Sequence, residues 1–412
     1  MKSGFHFEDK YSKALSLIIV SVCFGSSIGG SFQPMRIMLL LFFILYFPNI
    51  VKNKLFLKKD QPAWFGLLLF VSWIVCGSLS LLWSPNPMRG LTAGIMAMTI
   101  GFISLPLFIF LFRKAKNPLV TVRRCWLICI LLTSILSIFE LITYKHLPTS
   151  ETTRILGGVD IMVPHTSATF GNVNDYGTVI AFIIPYLLWG ILEEKGNRSK
   201  LIYLSALLLG VLFIVVNGSR MGLLVVVFQT LCFLFLFLRH FKKKYIVGGV
   251  ILIAIVVIAL PMDELLITMR YRISNISNAV HEGRGTMVIC GWEMLKKSYG
   301  FGIGAGGFQK SVIHQPSFKG IVIDPHNFFV EIFAQYGAFI FLFFCFWLFS
   351  IFYFALKNKH LTIGARMVVC VTILTLPFIG IMSSHALGYT YYWIFLSCAT
   401  VISIYNPERI VM

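Results

Sequence analysis

Charge is what these 412 residues have least of: Asp, Glu, Lys and Arg make up 12%, while 58% of the chain is hydrophobic. Soluble domains carry about 25% charged residues, so a water-soluble globular chain is excluded and the bilayer is the solvent. Acidic residues are the scarcer sign, 16 against 35 Lys and Arg, and no Asp-x-Asp pair occurs, so the usual acidic seat for a divalent cation is missing. The nine cysteines form neither a Cys-x-x-Cys pair nor a His/Cys cluster. That leaves no sign of a zinc site or a disulfide framework. Nearly all lie in apolar runs, with Cys290 alone in a sizeable polar-flanked region. No metal and no cofactor is expected.

What is present is apolar sequence in lengths that cross a membrane, which takes roughly 17–25 residues of helix. About twelve such runs occur, near 14–30, 34–50, 63–83, 90–112, 124–144, 175–192, 200–216, 220–239, 245–260, 326–356, 364–382 and 386–404. The fold class is therefore an all-α integral membrane protein, one polytopic domain over 1–412. A short Lys-bearing leader precedes the first run, as in a signal peptide, but the next run follows almost at once without a clear cleavage site, so the first is read as a retained helix.

Basic residues set the orientation. Lys2, Lys10 and Lys13, then Lys52 to Lys59, Arg113 to Arg124, Lys195 to Lys200, Arg239 to Lys244, Lys357 to Arg366 and Arg409 fall in alternate connections. The other short turns hold only Arg36, Arg89 and Arg220. Positive charge marks the cytoplasmic side, so both termini are expected in the cytoplasm, and the +19 net charge reads as topology rather than as a nucleic-acid footprint.

This arrangement leaves two long segments outside, 145–174 and 261–325, and connections of that length are seldom idle. In the second, TMVICGWEMLKK places Val288, Trp292 and Leu295 at i, i+4, i+7 opposite Glu293, Lys296 and Lys297. That is an amphipathic helix suited to lying on the membrane surface or covering the bundle. GFGIGAGGF follows. Its G-x-G-x-x-G has no preceding strand, so a nucleotide site is not indicated, and a flexible loop near the active face is expected.

Three polar islands stand out. In DPHNFFVEIFAQYG, Asp324 is an expected N-cap and Pro325 a first helical residue, placing His326 and Asn327 in the first turn of the tenth span. The free N–H groups of such a turn attract phosphate and keep a histidine neutral, able to accept a proton. Asn327, Glu331 and Gln335 recur every four residues as one polar stripe, which must face protein or a wet cavity. In NGSRMG, Asn217-Gly218 turns the chain, Ser219 caps the next helix and Arg220 sits at its start. An arginine there opposes the helix dipole and wants an anionic partner, a ligand or Glu331 or Asp324, although an interfacial snorkelling arginine has the same pattern. The third island, VPHTSATFGNVNDYG, brings His165, Asn174 and Asp175 to the mouth of the sixth span. These suit turns and caps, and also sugar hydroxyls.

FGNVNDYG, NGSRMG, GRGTMVICGWEMLKKSYGFGIGAGGF and DPHNFFVEIFAQYG, in this order over roughly 165–345, resemble the O-antigen ligase and O-antigen polymerase superfamily of bacterial membrane glycosyltransferases. The last matches the pattern of His, then Asn, nine residues, then Gly, ending at Gly337. The resemblance implies a multi-pass protein of the bacterial cytoplasmic membrane. Its donor is a glycan on undecaprenyl diphosphate, its acceptor a glycan or lipid A–core, and the transfer is inverting and metal-independent. It also implies neighbours in polysaccharide assembly such as a flippase and a chain-length regulator. In such enzymes arginines hold the diphosphate and the loop-end histidine acts on the acceptor hydroxyl. Carried onto this chain, Arg220 and Arg284 neutralise the leaving diphosphate, His326 is the base, and Arg270 and Arg272 are further phosphate candidates. Asn327, Glu331, His165, Asn174 and Asp175 bind substrate.

Polymerases extend a chain onto another lipid-linked repeat; ligases move it to lipid A–core. Ala338-Phe339-Ile340 departs from the small residue that ligases often place there, and Arg272 with Gly283 matches an Arg-x10-Gly pattern common in polymerases. The expectation is a polymerase of O-antigen, capsule or exopolysaccharide, with the ligase as alternative. A lipid-linked oligosaccharide flippase is the rival of another class. Transporters usually show matching halves and charged, broken helices near the midplane; here no halves match, and the spans before 217 carry almost no charge apart from Glu140.

Overall fold

In hydrocarbon a backbone can satisfy its N–H and C=O groups only inside a helix or a closed barrel, and no alternating strand pattern competes with the long apolar runs. The computed structural model describes residues 9–26, 28, 32–52, 61–150, 165–240, 285–318, 323–383 and 386–409, and every regular element among them is helical. In chain order these are α1 Lys10–Val20, α2 Pro34–Lys52, α3 Gln61–Ser80, α4 Pro87–Lys114, α5 Pro118–Thr143, α6 Val173–Glu193 and α7 Asn197–Val216. They continue with α8 Arg220–His240, α9 over 285–297, α10 Phe308–Val312, α11 Phe328–Lys357, α12 Ile363–Ile379 and α13 Thr390–Ser403. Seven of them, α2 to α7 and α11, are long and apolar enough to cross a membrane. Residues Arg220–Phe235 of α8, with α12 and α13, are shorter apolar helices. The expected run at 245–260 lies outside the described residues. The first expected span, 14–30, is shorter as a helix. α1 passes into a 3-10 turn at Ser21–Phe24 and stops at Gly25, whose φ of 67° is left-handed.

Small residues and aromatic rings hold the helices together, as expected where lipid offers no hydrophobic drive between them. A Cβ on Gly66 would stand 2.6 Å from Leu105 and Trp347 side-chain atoms, so α3, α4 and α11 meet closely there. Trp347 Nε1 donates to the Pro62 carbonyl at 2.9 Å, while Phe70 and Trp73 of α3 make edge contacts with Trp393 of α13. Gln229 of α8, fully buried, donates to the Ala181 carbonyl (3.0 Å) and to Thr375 Oγ1 (3.1 Å), pinning α8 to α6 and α12.

The helix ends gather at two rims. One is basic and ion-paired: Arg123 bridges Glu193 (3.1 Å) and Glu194 (2.7 Å), and Thr362 donates to Glu193. The opposite rim, where α5, α7 and α12 end and α6, α8 and α11 begin, carries Glu140, Asp175, Arg220 and His326.

α11 is broken. Gly337, at φ 84° and ψ 176°, interrupts the helix between its two halves. Residues 300–307 occupy the break. Ile303 N donates to Ala334 O (2.9 Å), Gly304 N to Gln335 O (3.1 Å), and Ala338 N to Gly300 O (2.8 Å). The end of α3 holds the same segment: Trp83 Nε1 donates to Gly302 O (3.0 Å), Ala305 N to Ser80 Oγ (3.0 Å), and Ser84 Oγ to Ala305 O (2.6 Å). The expected flexible loop is thus corrected to a bonded insert. Non-helical backbone within a membrane bundle is tolerated where protein covers it, and the glycines let it lie flat. At Gly306, for example, a Cβ would meet Gly90 N at 2.2 Å.

The face of α9 also differs from expectation. Met287, Cys290 and Met294 are buried, packing with Phe308, Val312, Val330 and Ala334, whereas Val288 and Trp292 of the expected apolar stripe are exposed. Methionine adapts to the irregular wall formed by the first half of α11, so the helix keeps its polarisable face inward and an aromatic–aliphatic face outward.

Candidate functional site

Around His326 the sequence folds one step later than expected. The N-cap is Asn327, not Asp324, and α11 starts at Phe328. Asn327 Oδ1 accepts from Phe329 N (3.0 Å) and Val330 N (3.2 Å), and Phe328 N donates to Gly380 O at 2.9 Å. The expected cap at Asp324 gives way to Asn327, whose helix start is also bound by the α12 end. His326 therefore lies outside the first turn, at φ 43°, a conformation uncommon for a side chain with a Cβ. It still stands beside the positive end of the helix. The N–H groups of that turn are already taken, so the expected phosphate cradle at this helix end is not there.

The turn after α12, residues Gly380 to Ser383, joins the polar islands. Gly380 receives the start of α11. Ser383 Oγ donates to Asp175 Oδ1 at 2.6 Å, and Met382 Cε lies 3.1 Å from where a Cβ on Gly222 would stand and 3.3 Å from one on Gly177. His326, Asp175 and the Arg220 hairpin thus share one rim through a segment that sequence reasoning did not single out. Ser219 caps α8, its Oγ accepting from Gly222 N at 3.2 Å, and Arg220 is exposed at the helix start. Asn217 locks the hairpin to the third island: its Oδ1 accepts from Thr166 N and its Nδ2 donates to Thr166 O, both at 2.8 Å. His165 stacks on His146 with ring centres 4.4 Å apart. Beneath them the buried Glu140 accepts from Thr166 Oγ1 (2.6 Å), Ser167 N (2.9 Å) and Ala168 N (2.8 Å), with His146 Nδ1 at 3.0 Å. Asn172 caps α6 through Asn174 N (2.7 Å), while Asn174 itself is half-buried. Arg270, Arg272 and Arg284 lie outside the described residues.

Beside Pro325 opens a cleft of about 60 Å³. The Glu331–Gln335 stripe forms one wall, Gln335 Nε2 donating to Glu331 Oε1 at 3.3 Å and its Oε1 accepting from Gly306 N. Facing it are Arg89 of α4 and Gln309 of α10. Arg89 donates to Gln309 Oε1, and Gln309 Nε2 donates to Asp324. Leu387 and Gly388 close the side, braced by Arg36, whose Nη2 donates to Gly388 O (2.9 Å) and whose Nε donates to Thr390 Oγ1 (3.1 Å). Arg89 and Arg36 were legible as exceptions to the charge bias; that one of them would line a cleft with Glu331 was not.

Comparison with known proteins falls on this part of the chain. Residues 204–345 match the family model described as O-Antigen ligase, a stretch that holds the Arg220 hairpin, α9, the glycine-rich insert, His326 and the break at Gly337, though not the FGNVNDYG element. The chain is also 26% identical, over 325 residues, to the teichuronic acid biosynthesis protein TuaE of Bacillus subtilis (strain 168), covering 74% of this chain and 64% of that protein. The chain thus spans slightly under two thirds of the length of that relative. The resemblance read from the motifs holds: this is a multi-pass helical membrane protein whose residues 204–345 carry the O-antigen ligase family pattern.

Proposed function

We propose that the protein is a polysaccharide polymerase of the cytoplasmic membrane, with about twelve spans in one polytopic domain, both termini in the cytoplasm, and the segments 145–174 and 261–325 outside. It transfers a glycan from undecaprenyl diphosphate to the end sugar of another lipid-linked repeat. The observation that supports this most is the tie made by Gly380–Ser383, which draws the His326 turn, Asp175 and the Arg220 hairpin to one rim. In the proposed step His326 takes the proton of the acceptor hydroxyl as its oxygen bonds to the anomeric carbon, and the bond from that carbon to the diphosphate oxygen breaks. Arg220 and Arg284 hold the diphosphate by charge-assisted hydrogen bonds, a role that needs no metal. Asn327 supports the step by capping α11 rather than by touching sugar. A relative named for biosynthesis favours an enzyme over a flippase. The match to an O-antigen ligase model and the His-Asn-x9-Gly spacing keep ligation to lipid A–core as the second reading.

The test is a gel of lipid-linked and surface polysaccharide from a deletion strain complemented with wild type, His326→Ala, Arg220→Ala or Arg366→Ala, the last on the basic rim. His326→Ala and Arg220→Ala leave the protein inserted and abolish assembly; Arg366→Ala does not. Single repeats alone at the surface mark a polymerase, and full-length chains stranded on the carrier mark a ligase. Repeats held on the cytoplasmic face mark a flippase, and wild-type product from either rim variant removes the catalytic assignment.

A further inference from the structure

We infer that the cleft between Arg89, Gln309 and the Glu331–Gln335 stripe is a saccharide subsite that holds the acceptor sugar, separate from the groups that hold the lipid diphosphate. The inference rests on the glycosyltransferase reading for the word acceptor; that the cleft takes a neutral sugar rests on its chemistry.

Charge comes first. One guanidinium, Arg89, faces the carboxylate of Glu331, and through Gln309 it is linked to the carboxylate of Asp324. Arg89 and Glu331 are one cation and one anion on the cleft wall, so neither sign is in excess among its described lining residues. A diphosphate offers only acceptor oxygens and would meet in Glu331 a group that cannot donate while ionised. A sugar hydroxyl both donates and accepts. It can donate to Glu331 and accept from Arg89 or from an amide of Gln309 or Gln335, so alternating donors and acceptors suit neighbouring hydroxyls on one ring.

The second observation is Tyr336. It lines the cleft and is only 5% exposed, yet its buried hydroxyl has no hydrogen-bond partner among the described residues. A buried hydroxyl left unpaired costs about 1–3 kcal/mol, and a ligand hydroxyl entering the cleft would remove that penalty. Gly94 leaves room for it, since a Cβ there would lie 2.4 Å from the Tyr336 oxygen. The third observation is preorganisation. The walls are fixed from behind by the insert in the α11 break and by Arg36, so the lining groups are held in place before a ligand arrives. Pro325 lines the cleft and precedes His326 in the chain, so the proposed base is one residue from the cleft wall.

Saturation-transfer NMR on the full-length protein in detergent micelles tests the site, with glucose, galactose, N-acetylglucosamine and N-acetylgalactosamine as probes and pyrophosphate as competitor. At least one of these sugars is expected to bind the wild type and to resist displacement by pyrophosphate. Glu331→Gln and Gln309→Ala should weaken it at least tenfold. Tyr336→Phe, which removes one oxygen and leaves the packing, should weaken it severalfold. Melting curves confirm that each variant is folded. Failure of all four sugars to bind, displacement by pyrophosphate, or unchanged binding in all three variants would overturn the subsite. In a transfer assay with purified lipid-linked donor and acceptor, Gln309→Ala should raise the acceptor KM tenfold; a rise in the donor KM instead would overturn the acceptor assignment. His326→Ala separates the two readings: it should retain sugar binding while losing polymer. If His326→Ala still makes polymer, the catalytic reading fails, and the binding result decides the subsite by itself.

Discussion

Gly337→Ala asks whether a single glycine keeps α11 broken and the insert in place. Its φ of 84° with ψ of 176° is a region nearly reserved for glycine, and forcing another residue into it costs of order 1–3 kcal/mol. The new Cβ would also stand 2.5 Å from Gly300 O and 2.6 Å from the Phe301 carbonyl, an overlap that must be relieved by moving the insert, at typically 1–3 kcal/mol. The sum is about 2–6 kcal/mol. The three backbone bonds across the break contribute about 0.5–1.5 kcal/mol each, so the alanine offsets most of what they supply. Cys290 is a native reporter of the result. It is buried in the small core that α9 and α10 build on the first half of α11, and the insert joins α9 to α10. Burial, with the nearby Glu293 carboxylate, also raises the thiol above its ordinary pKa, so little thiolate is present at neutral pH and labelling is slow while the insert is seated. Maleimide labelling of nanodisc-embedded protein, read at the Cys290 peptide by mass spectrometry, should speed up at least about 30-fold in Gly337→Ala, the factor that 2 kcal/mol of easier opening gives. Gly285→Ala, where a Cβ meets nothing within 4 Å, should label like wild type. A folded Gly337→Ala protein that labels at the wild-type rate would show that the aromatic packing around the break, not the glycine, holds it.

Three further outcomes follow from the same rim. Asn327→Ala removes the cap of α11 and should lower stability by roughly 0.5–2 kcal/mol, whereas Asn327→Asp keeps an acceptor and most of the stability; equal melting temperatures for the two would show that Gly380 alone fixes the helix start. Glu140→Ala leaves the N–H groups of Ser167 and Ala168 without their buried acceptor and, as the loss of one partner of a buried charged network, should cost about 3–5 kcal/mol, read as reduced abundance and a lower melting temperature; a variant as stable as wild type would show that water replaces the carboxylate. Asn217→Ala breaks both bonds to Thr166 and should reduce polymer while the protein stays folded, and full polymer from it would mean that the Arg220 hairpin is positioned without that link.

The helices were legible because in a membrane the apolar run is itself the structural signal: α2, α3, α4, α6 and α7 start and stop within three residues of their runs, and α5 starts six residues before its run. Finer points turned on contacts between distant segments. Asp324-Pro325 and Asn327 are both sound helix starts, and the choice went to the one whose Phe328 N finds Gly380 O, more than fifty positions along the chain. The break at Gly337 hides inside FAQYGAFIF, which reads straight through as helix. Only the carbonyls of Ala334 and Gln335, taken by Ile303 and Gly304, reveal what the glycine is for. The stripe at i, i+4, i+8 was visible, and its Glu331 and Gln335 line a cavity while Asn327 caps the helix; the opposite wall comes from Arg89 and Gln309, which no periodicity connects to it.

The two sets of arginines on this rim differ in a way that bears on direction of transfer. Arg89 is tied through Gln309 to Asp324 and sits across the cleft from Glu331, so its charge is balanced before any substrate arrives. Arg220 is exposed at a helix start that opposes it, with no ion pair among the described residues. An anion gains more from the second than from the first, because a balanced guanidinium must give up partners to receive it. A neutral sugar gains more from the first, where donors and acceptors already alternate and little desolvation of net charge is needed. On the proposed function, then, the lipid diphosphate belongs on the Arg220 side and the acceptor on the Arg89 side, and the His326 turn, held by Asn327 and Gly380, is the element placed to pass a proton between them. Exchanging the two environments should expose this. Asp324→Asn with Glu331→Gln removes both of these carboxylates from the surroundings of Arg89, and the double variant should bind pyrophosphate in the cleft where the wild type does not. If pyrophosphate binds both equally, charge balance is not what sorts the two substrates.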